Sequence, residues 1–154
     1  MIKSIFSTSF FAILIINIVC AQVVPGKMQS GKLTDPWTKD QLMEPSVLAA
    51  ILIKSQVSKP LIFNIGVMEN IKGAKKMGAS SDRKNLELFK KTLIKIPKNT
   101  VLVIYCGCCP FERCPNIRPA FQALKDAGFK NGKLLNLPTN IKTDWINKGY
   151  PAGI

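Results

Sequence analysis

Short, nearly continuous apolar runs recur along the second half of the chain and predict buried strands. The runs cover residues 61–65, 101–105 and 133–137. Gly66 and Gly107 directly follow the ends of the first two runs. Such runs are typical of strands covered on both faces, as in a parallel sheet. We therefore expect a mostly parallel sheet at the centre of the domain.

A segment with apolar residues at helical spacing precedes the first run. Thr38 or Asp40 can cap this predicted helix, Pro45 is tolerated only in its first turn, and the helix should end near Ser55. Its apolar positions are Leu42, Met43, Val47, Leu48, Ile51 and Leu52. The segment therefore predicts one helix from about residue 40 to residue 55.

Three further helices are predicted between and after the runs. The first follows residues 80–82 and has apolar positions at Leu86, Leu88, Phe89, Leu93 and Ile94. The next begins at Pro115, has apolar positions at Ile117, Ala120, Phe121 and Leu124, and ends at Gly128. A short last helix, capped by Thr143 or Asp144, includes Trp145 and Ile146 and is closed by Gly149 and Pro151. Alternating strands and helices predict a single α/β domain over residues 37–154, with a mostly parallel central sheet flanked by helices.

The first 21 residues resemble a secretory signal peptide. Lys3 precedes an apolar stretch over residues 10–16 that is too short to span a bilayer comfortably, and Val19 and Ala21 occupy the positions that a signal peptidase reads. We expect cleavage after Ala21, with lipid attachment at Cys20 as the alternative. Residues 22–36 then form a flexible leader, and the protein is periplasmic or secreted, with no stable membrane span after cleavage.

Charge and composition narrow the function classes. The chain has 22 Lys and Arg against 9 Asp and Glu, for a formal net charge of +13. The basic residues are scattered and no recognised binding motif accompanies them, so we expect no nucleic-acid partner. The chain contains no histidine, which excludes every mechanism that needs an imidazole base or an imidazole metal ligand.

The cysteines that remain after cleavage are packed into nine residues. They are Cys106, Cys108, Cys109 and Cys114. Disulfides confined to this stretch would close very small loops and remove little entropy from the unfolded chain. Cys106 follows a predicted central strand, at the sheet edge where ligands bind in open α/β folds. The cluster therefore indicates chemistry rather than a structural disulfide framework.

These residues resemble the rhodanese family of sulfurtransferases. Tyr105-Cys106 ends a predicted strand, a predicted helix through Ala120 and Leu124 leads to Gly128-Phe129, and the motif Trp145-x-x-x-Gly149-Tyr150-Pro151 follows near residue 150. Residues 71–74 are similar to the family's glycine-alanine turn. The resemblance covers about residues 37–152 and implies a rhodanese-like domain.

The resemblance also implies a mechanism and a set of site residues. Cys106 would attack a small sulfur donor, hold the sulfur as a persulfide, and pass it to a thiol or another nucleophile. The persulfide or anion cradle would consist of Gly107, Cys108, Cys109, Arg113 and Arg118, with Cys108, Cys109 and Cys114 as accessory or resolving thiols. A thiol reductant protein is a further expected partner, and we expect no cofactor and no metal for this activity. The chain departs from the family at Asn64 and Gly66, where the family usually has Asp and Arg.

Two other interpretations stay open at the sequence level. Cys106 and Cys109 form a Cys-x-x-Cys pair, which predicts a thiol–disulfide oxidoreductase. Alternatively, the thiolates bind copper or zinc. Copper(I) needs only two or three thiolates, whereas a structural zinc site usually draws its ligands from two separate cysteine pairs.

Overall fold

The computed structural model describes residues 35–54 and 58–153. Within these residues the chain forms an α/β domain around a parallel sheet of five strands. The predicted signal peptide, nearly all of the predicted leader and Ser55 lie outside the described residues. No helix in the described part is both long enough and apolar enough to cross a membrane.

The elements follow one another in an order that alternates strands and helices. The strands are β1 Leu42–Met43, β2 Leu61–Asn64, β3 Lys75–Lys76, β4 Leu102–Tyr105 and β5 Gly132–Leu135. The α-helices are α1 Pro45–Ile53, α2 Arg83–Ile94, α3 Ile117–Asp126 and α4 Ile141–Asp144. Short 3-10 helices cover Lys39–Gln41, Phe111–Arg113 and Ile146–Lys148. The predicted α/β class with a parallel central sheet is confirmed.

Strand β4 occupies the centre of the sheet. The strand order is β1-β5-β4-β2-β3, and all four residues of β4 are buried. In register, Leu61 pairs with Leu102 on one side of β4, and Leu102 pairs with Gly132 on the other. Because parallel strands end at the same edge, residues that follow β4 and β2 meet there.

Alternation along β4 divides the core between the two faces of the sheet. Leu102 and Ile104 belong to the hydrophobic cluster that includes residues of α2 and α3. Val103 and Tyr105 belong to the cluster that includes residues of α1 and α4. Cys106 continues this alternation and lies on the α2 and α3 side. The period of the strand therefore directs the thiol toward the interior.

The first predicted helix is wrong at its beginning. Leu42 and Met43 form the edge strand β1, paired with β5, and the helix begins only at Pro45, in the first helical position. Residues shortly before a proline favour extended backbone, and proline is preferred in the first position of a helix. Two residues can therefore fit the helical spacing of apolar positions and still form a strand before the proline. The helix ends at Ile53, close to the predicted end.

The last predicted helix also needs correction at its cap. Asn140, rather than Thr143 or Asp144, is the N-cap, and its side chain accepts the amide of Thr143. The Asp144 carboxylate instead accepts the amides of Thr139 and Asn140 at 2.7 and 3.0 Å. The side chains of Asn140 and Asp144 therefore accept hydrogen bonds from backbone amides at the start of this helix.

Three smaller differences concern helix α2, helix α3 and strand β3. Leu88 and Ile94 are exposed, although the spacing placed them on the apolar face of α2. Helix α3 begins at Ile117, two residues after Pro115. Strand β3 was not predicted, because two exposed lysines carry no apolar signal.

Asp82 is the cap on which the start of α2 depends. Its carboxylate accepts the amides of Lys84 and Asn85 at 2.7 and 3.2 Å. We expect Asp82→Ala to lower the free energy of unfolding by about 1 kcal/mol, measured by urea denaturation. Glu87→Ala on the same helix is the control, because its pair with Lys90 lies at the surface. An equal loss in both variants would contradict the capping role.

Candidate functional site

Cys106 follows β4 and is completely buried. Gly107 continues the chain with φ of +79°, a conformation that favours glycine. A Cβ built on Gly107 would lie 2.6 Å from the Cβ of Ile141, and the Gly107 carbonyl accepts the amide of Ile141 at 2.9 Å. The turn after the thiol is therefore held against the start of α4, and residue 107 must be small.

The four predicted thiols come together in one cluster. The Sγ atom of Cys108 lies 3.2 Å from that of Cys106, 3.2 Å from that of Cys109 and 3.9 Å from that of Cys114. Cys106 and Cys114 are buried, Cys109 is partly buried and Cys108 is exposed. All four are free thiols in this structure. Cys108 therefore connects the buried thiols to the surface.

Asn116 is a site residue that the sequence did not indicate. Its Nδ2 donates to the Cys106 Sγ at 3.1 Å, and its Oδ1 accepts the amide of Ser81 at 2.9 Å. Its backbone carbonyl accepts the hydroxyl of Ser80 at 2.6 Å. Asn116 therefore connects the segment before α2 to the thiol of Cys106. Asn116 and Cys106 are ten residues apart in the sequence. No sequence motif marked it, since both contacts depend on the tertiary fold.

Gly66 makes the second contact that the sequence did not indicate. A Cβ at this position would lie 2.5 Å from the Cys106 Sγ and 2.8 Å from the Cys106 carbonyl oxygen. Only a glycine leaves room for Cys106 where β2 and β4 end. Residue 66 must therefore be small in this chain.

Asn64 and Tyr105 organise the loop that follows β2. The buried Asn64 side chain donates to the carbonyl of Met68 at 2.9 Å and accepts the amide of Gly66 at 3.0 Å. The Tyr105 hydroxyl accepts the amide of Ile71 and donates to the carbonyl of Glu69. Neutral side chains therefore hold this loop.

Hydrogen bonds lower the pKa of the Cys106 thiol to about 5. The largest cause is the hydrogen bond from Cys114, and further bonds from the Cys108 amide, Asn116 and the Cys108 thiol act in the same direction, against the opposing effect of burial. Burial and the neighbouring Cys106 sulfur raise the pKa of Cys108 to about 12, and the pKa of Cys114 is also raised. Of Cys106, Cys108 and Cys114, Cys106 is therefore the thiol that ionises first, which suits it to be the nucleophile.

The two arginines predicted for the site, Arg113 and Arg118, differ in their contacts. Arg118 donates to the carboxylate of Asp35 at 2.6 Å and to the carbonyl of Glu112 at 2.8 Å, and its guanidinium lies 5.5 Å from the centre of the Trp37 ring. These contacts attach the N-terminal segment to the cysteine loop. Arg113 is exposed in the 3-10 helix of that loop. A role of either arginine in binding an anion stays a prediction.

Comparison with known proteins identifies one relevant solved structure. No protein-family model and no curated protein matches the chain. A structure of a cysteine-to-serine variant of EanB in complex with hercynine is similar, with a TM-score of 0.51 and 20% sequence identity. The match covers 73% of this chain and 27% of the EanB chain. The likeness supports the fold.

The close approach at Gly66 predicts that even one methyl group disturbs the site. We expect Gly66→Ala to lower the free energy of unfolding by about 1–3 kcal/mol, measured by urea denaturation. Gly132→Ala is the control, because its Cβ would lie 3.3 Å from the flexible end of Leu124. A Gly66→Ala protein as stable as Gly132→Ala would contradict the packing described.

The hydrogen bonds to Cys106 predict an early thiolate titration. In the reduced, metal-free protein we expect one thiolate to appear in the ultraviolet spectrum as the pH rises through about 5, well below the ordinary thiol value near 8.5. Cys114→Ala removes the largest cause and should raise this midpoint, while Cys109→Ser should leave it in place. Persistence of the same titration in Cys106→Ser would assign it to another group.

Proposed function

We propose that the chain is a rhodanese-like sulfurtransferase in which Cys106 carries the transferred sulfur as a persulfide. The observation that carries the proposal is the position of Cys106. It directly follows the central strand of a parallel sheet, it accepts a hydrogen bond from Asn116 at 3.1 Å, and its Sγ lies 3.2 Å from that of Cys108. Ligands bind at this edge in open α/β sheets.

The proposed reaction has two displacement steps. The Cys106 thiolate attacks the outer sulfur of a donor such as thiosulfate, the donor sulfur–sulfur bond breaks, and sulfite leaves with the electron pair. The resulting persulfide is then attacked at its outer sulfur by an acceptor thiolate. The Cys106 thiolate leaves in this second step and is regenerated, so no external oxidant is consumed.

The surrounding groups have distinct tasks in this scheme. Asn116 donates to the sulfur of Cys106 and favours its charged form, both before attack and when it leaves. Gly66 leaves the space that the sulfur occupies. Because Cys106 has no exposed surface, the donor reaches it only after a movement of the loop that includes the exposed Cys108.

The similarity to EanB supports the scaffold on which this proposal depends. The EanB structure contains hercynine and a cysteine replaced by serine. The present chain corresponds to 27% of that protein's length, so its donor and acceptor are proposed from the thiol cluster alone. An exported location and a thiol reductant partner belong to the same proposal, because exposed thiols outside the cytoplasm need a source of electrons.

A short sulfur–sulfur distance supports one alternative function, thiol–disulfide exchange. The Cys106 and Cys108 Sγ atoms lie 3.2 Å apart. The Sγ atom of Cys109 contacts that of Cys108 instead of that of Cys106. The dithiol would therefore be Cys106 with Cys108 rather than the Cys106 and Cys109 pair that the sequence suggested. An external disulfide would oxidise it and be reduced to two thiols in the exchange.

Sulfur loading from thiosulfate tests the proposed function. The reduced full chain is incubated with thiosulfate and its intact mass is measured; we expect a gain of one sulfur atom that excess thiol or cyanide removes. Cys106→Ser should show no gain, whereas Cys109→Ser, outside the contacts of Cys106, should load normally. Absence of the gain in the reduced wild-type chain would reject thiosulfate sulfurtransfer, and a loss of two hydrogens with a disulfide oxidant would favour dithiol exchange.

A further inference from the structure

We propose that Cys106, Cys108 and Cys114 form a binding site for one copper(I) ion. The Sγ atoms of these three residues all lie within 4.8 Å of one another. The separation is 3.2 Å between Cys106 and Cys108 and 3.9 Å between Cys108 and Cys114. In the described part of the chain, these residues form the one such group of potential metal ligands.

The dimensions of this sulfur triangle suit a three-coordinate soft metal. Metal–thiolate bonds of about 2.3 Å, arranged at equal angles around an ion, place the sulfur atoms roughly 4 Å apart. The distance between Cys108 and Cys114, 3.9 Å, is close to that value, the distance between Cys106 and Cys108, 3.2 Å, is shorter, and the third distance does not exceed 4.8 Å. Rotation of the exposed Cys108 side chain is sufficient to lengthen its shorter contact, so binding requires no rearrangement of the sheet.

The ligand set favours copper(I) over zinc. Thiolates select soft metals, and copper(I) accepts three of them, whereas structural zinc needs four ligands in a tetrahedron. Cys109 lies outside the group of three, and the group includes no carboxylate. The chain has no histidine to supply a fourth ligand. The chemistry therefore matches a site with three sulfur ligands.

The fold holds two of the ligands in place before metal binds. Cys106 directly follows β4 and accepts a hydrogen bond from Asn116, and the backbone amide of the buried Cys114 donates to the carbonyl of Phe111 at 3.2 Å. Hydrogen bonds of this kind orient the first ligands of a metal site. Cys108 is exposed and gives the ion access from solvent. All three sulfurs bind as thiolates, so any proton that a thiol still carries goes to solvent, and no electron is transferred, since copper arrives and remains as copper(I).

The copper site shares Cys106 with the proposed sulfurtransferase but does not depend on that function. Sulfur loading needs the Cys106 sulfur to be free, whereas copper needs all three sulfurs. Bound copper(I) should therefore block sulfur loading. The two roles are separated by measuring copper binding and thiosulfate loading independently on the unaltered chain.

Competition for copper(I) tests the proposal. The reduced full chain is titrated without oxygen against copper(I) held by bathocuproine disulfonate, and the transferred copper is read from the colour of the chelator. We expect one copper(I) per chain, and a loss of affinity of about tenfold or more in Cys108→Ser and in Cys114→Ser. Cys109→Ser is the matched control and should bind as the wild type does. X-ray absorption of the wild-type complex should show three sulfur neighbours.

Two results would overturn the copper site. One is an equal loss of affinity in Cys109→Ser and Cys114→Ser; the other is a copper ion with two or four sulfur neighbours in the wild type. The absorption measurement uses the unaltered chain and so does not depend on the folding of the variants. Copper binding without any thiosulfate loading would retain this site and reject the proposed function, and the reverse pattern would retain the function and reject the site.

Discussion

The backbone of Gly66 lies directly against Cys106, where the parallel strands β2 and β4 end. A Cβ at residue 66 would lie within 2.5 Å of the Cys106 sulfur. The amide of Ile65 also donates to the carbonyl of Tyr105 at 2.9 Å, so pairing continues to the residues next to this contact. The space for the thiol therefore results from strand pairing and one missing side chain. The other contacts of the site depend on this position of the Cys106 sulfur.

Neutral hydrogen-bond donors then determine the chemistry of that thiol. The shift of Cys106 toward its charged form comes from neighbouring thiols, a backbone amide and Asn116 rather than from a cation. Such donors act only at hydrogen-bond distance, whereas a charge acts over several ångströms. The site therefore depends on the positions of Cys114 and Asn116, which precede α3 and are both buried.

The sequence predicted the parts of this arrangement that depend on local patterns. Nearly continuous apolar runs indicated β2, β4 and β5. The order of elements indicated a parallel sheet, with Cys106 where the central strand ends. Strand β1 was missed because Leu42 and Met43 also fit helical spacing, and their pairing with β5 is a contact across some ninety residues. Asn116 and Gly66 were missed as parts of the site for the same reason, since each is defined by a distant partner.

The loop that follows β4 contains both buried and exposed thiols. Cys106 is completely buried, so in this structure its sulfur is shielded from solvent. The exposed Cys108 contacts the sulfurs of all three other cysteines, so a movement of Cys108 changes all of these sulfur contacts at once. Contacts of Arg118 with Asp35 and Glu112 attach the loop to the N-terminal segment. The loop that contains the thiols is therefore held partly by a residue far from it in sequence, Asp35.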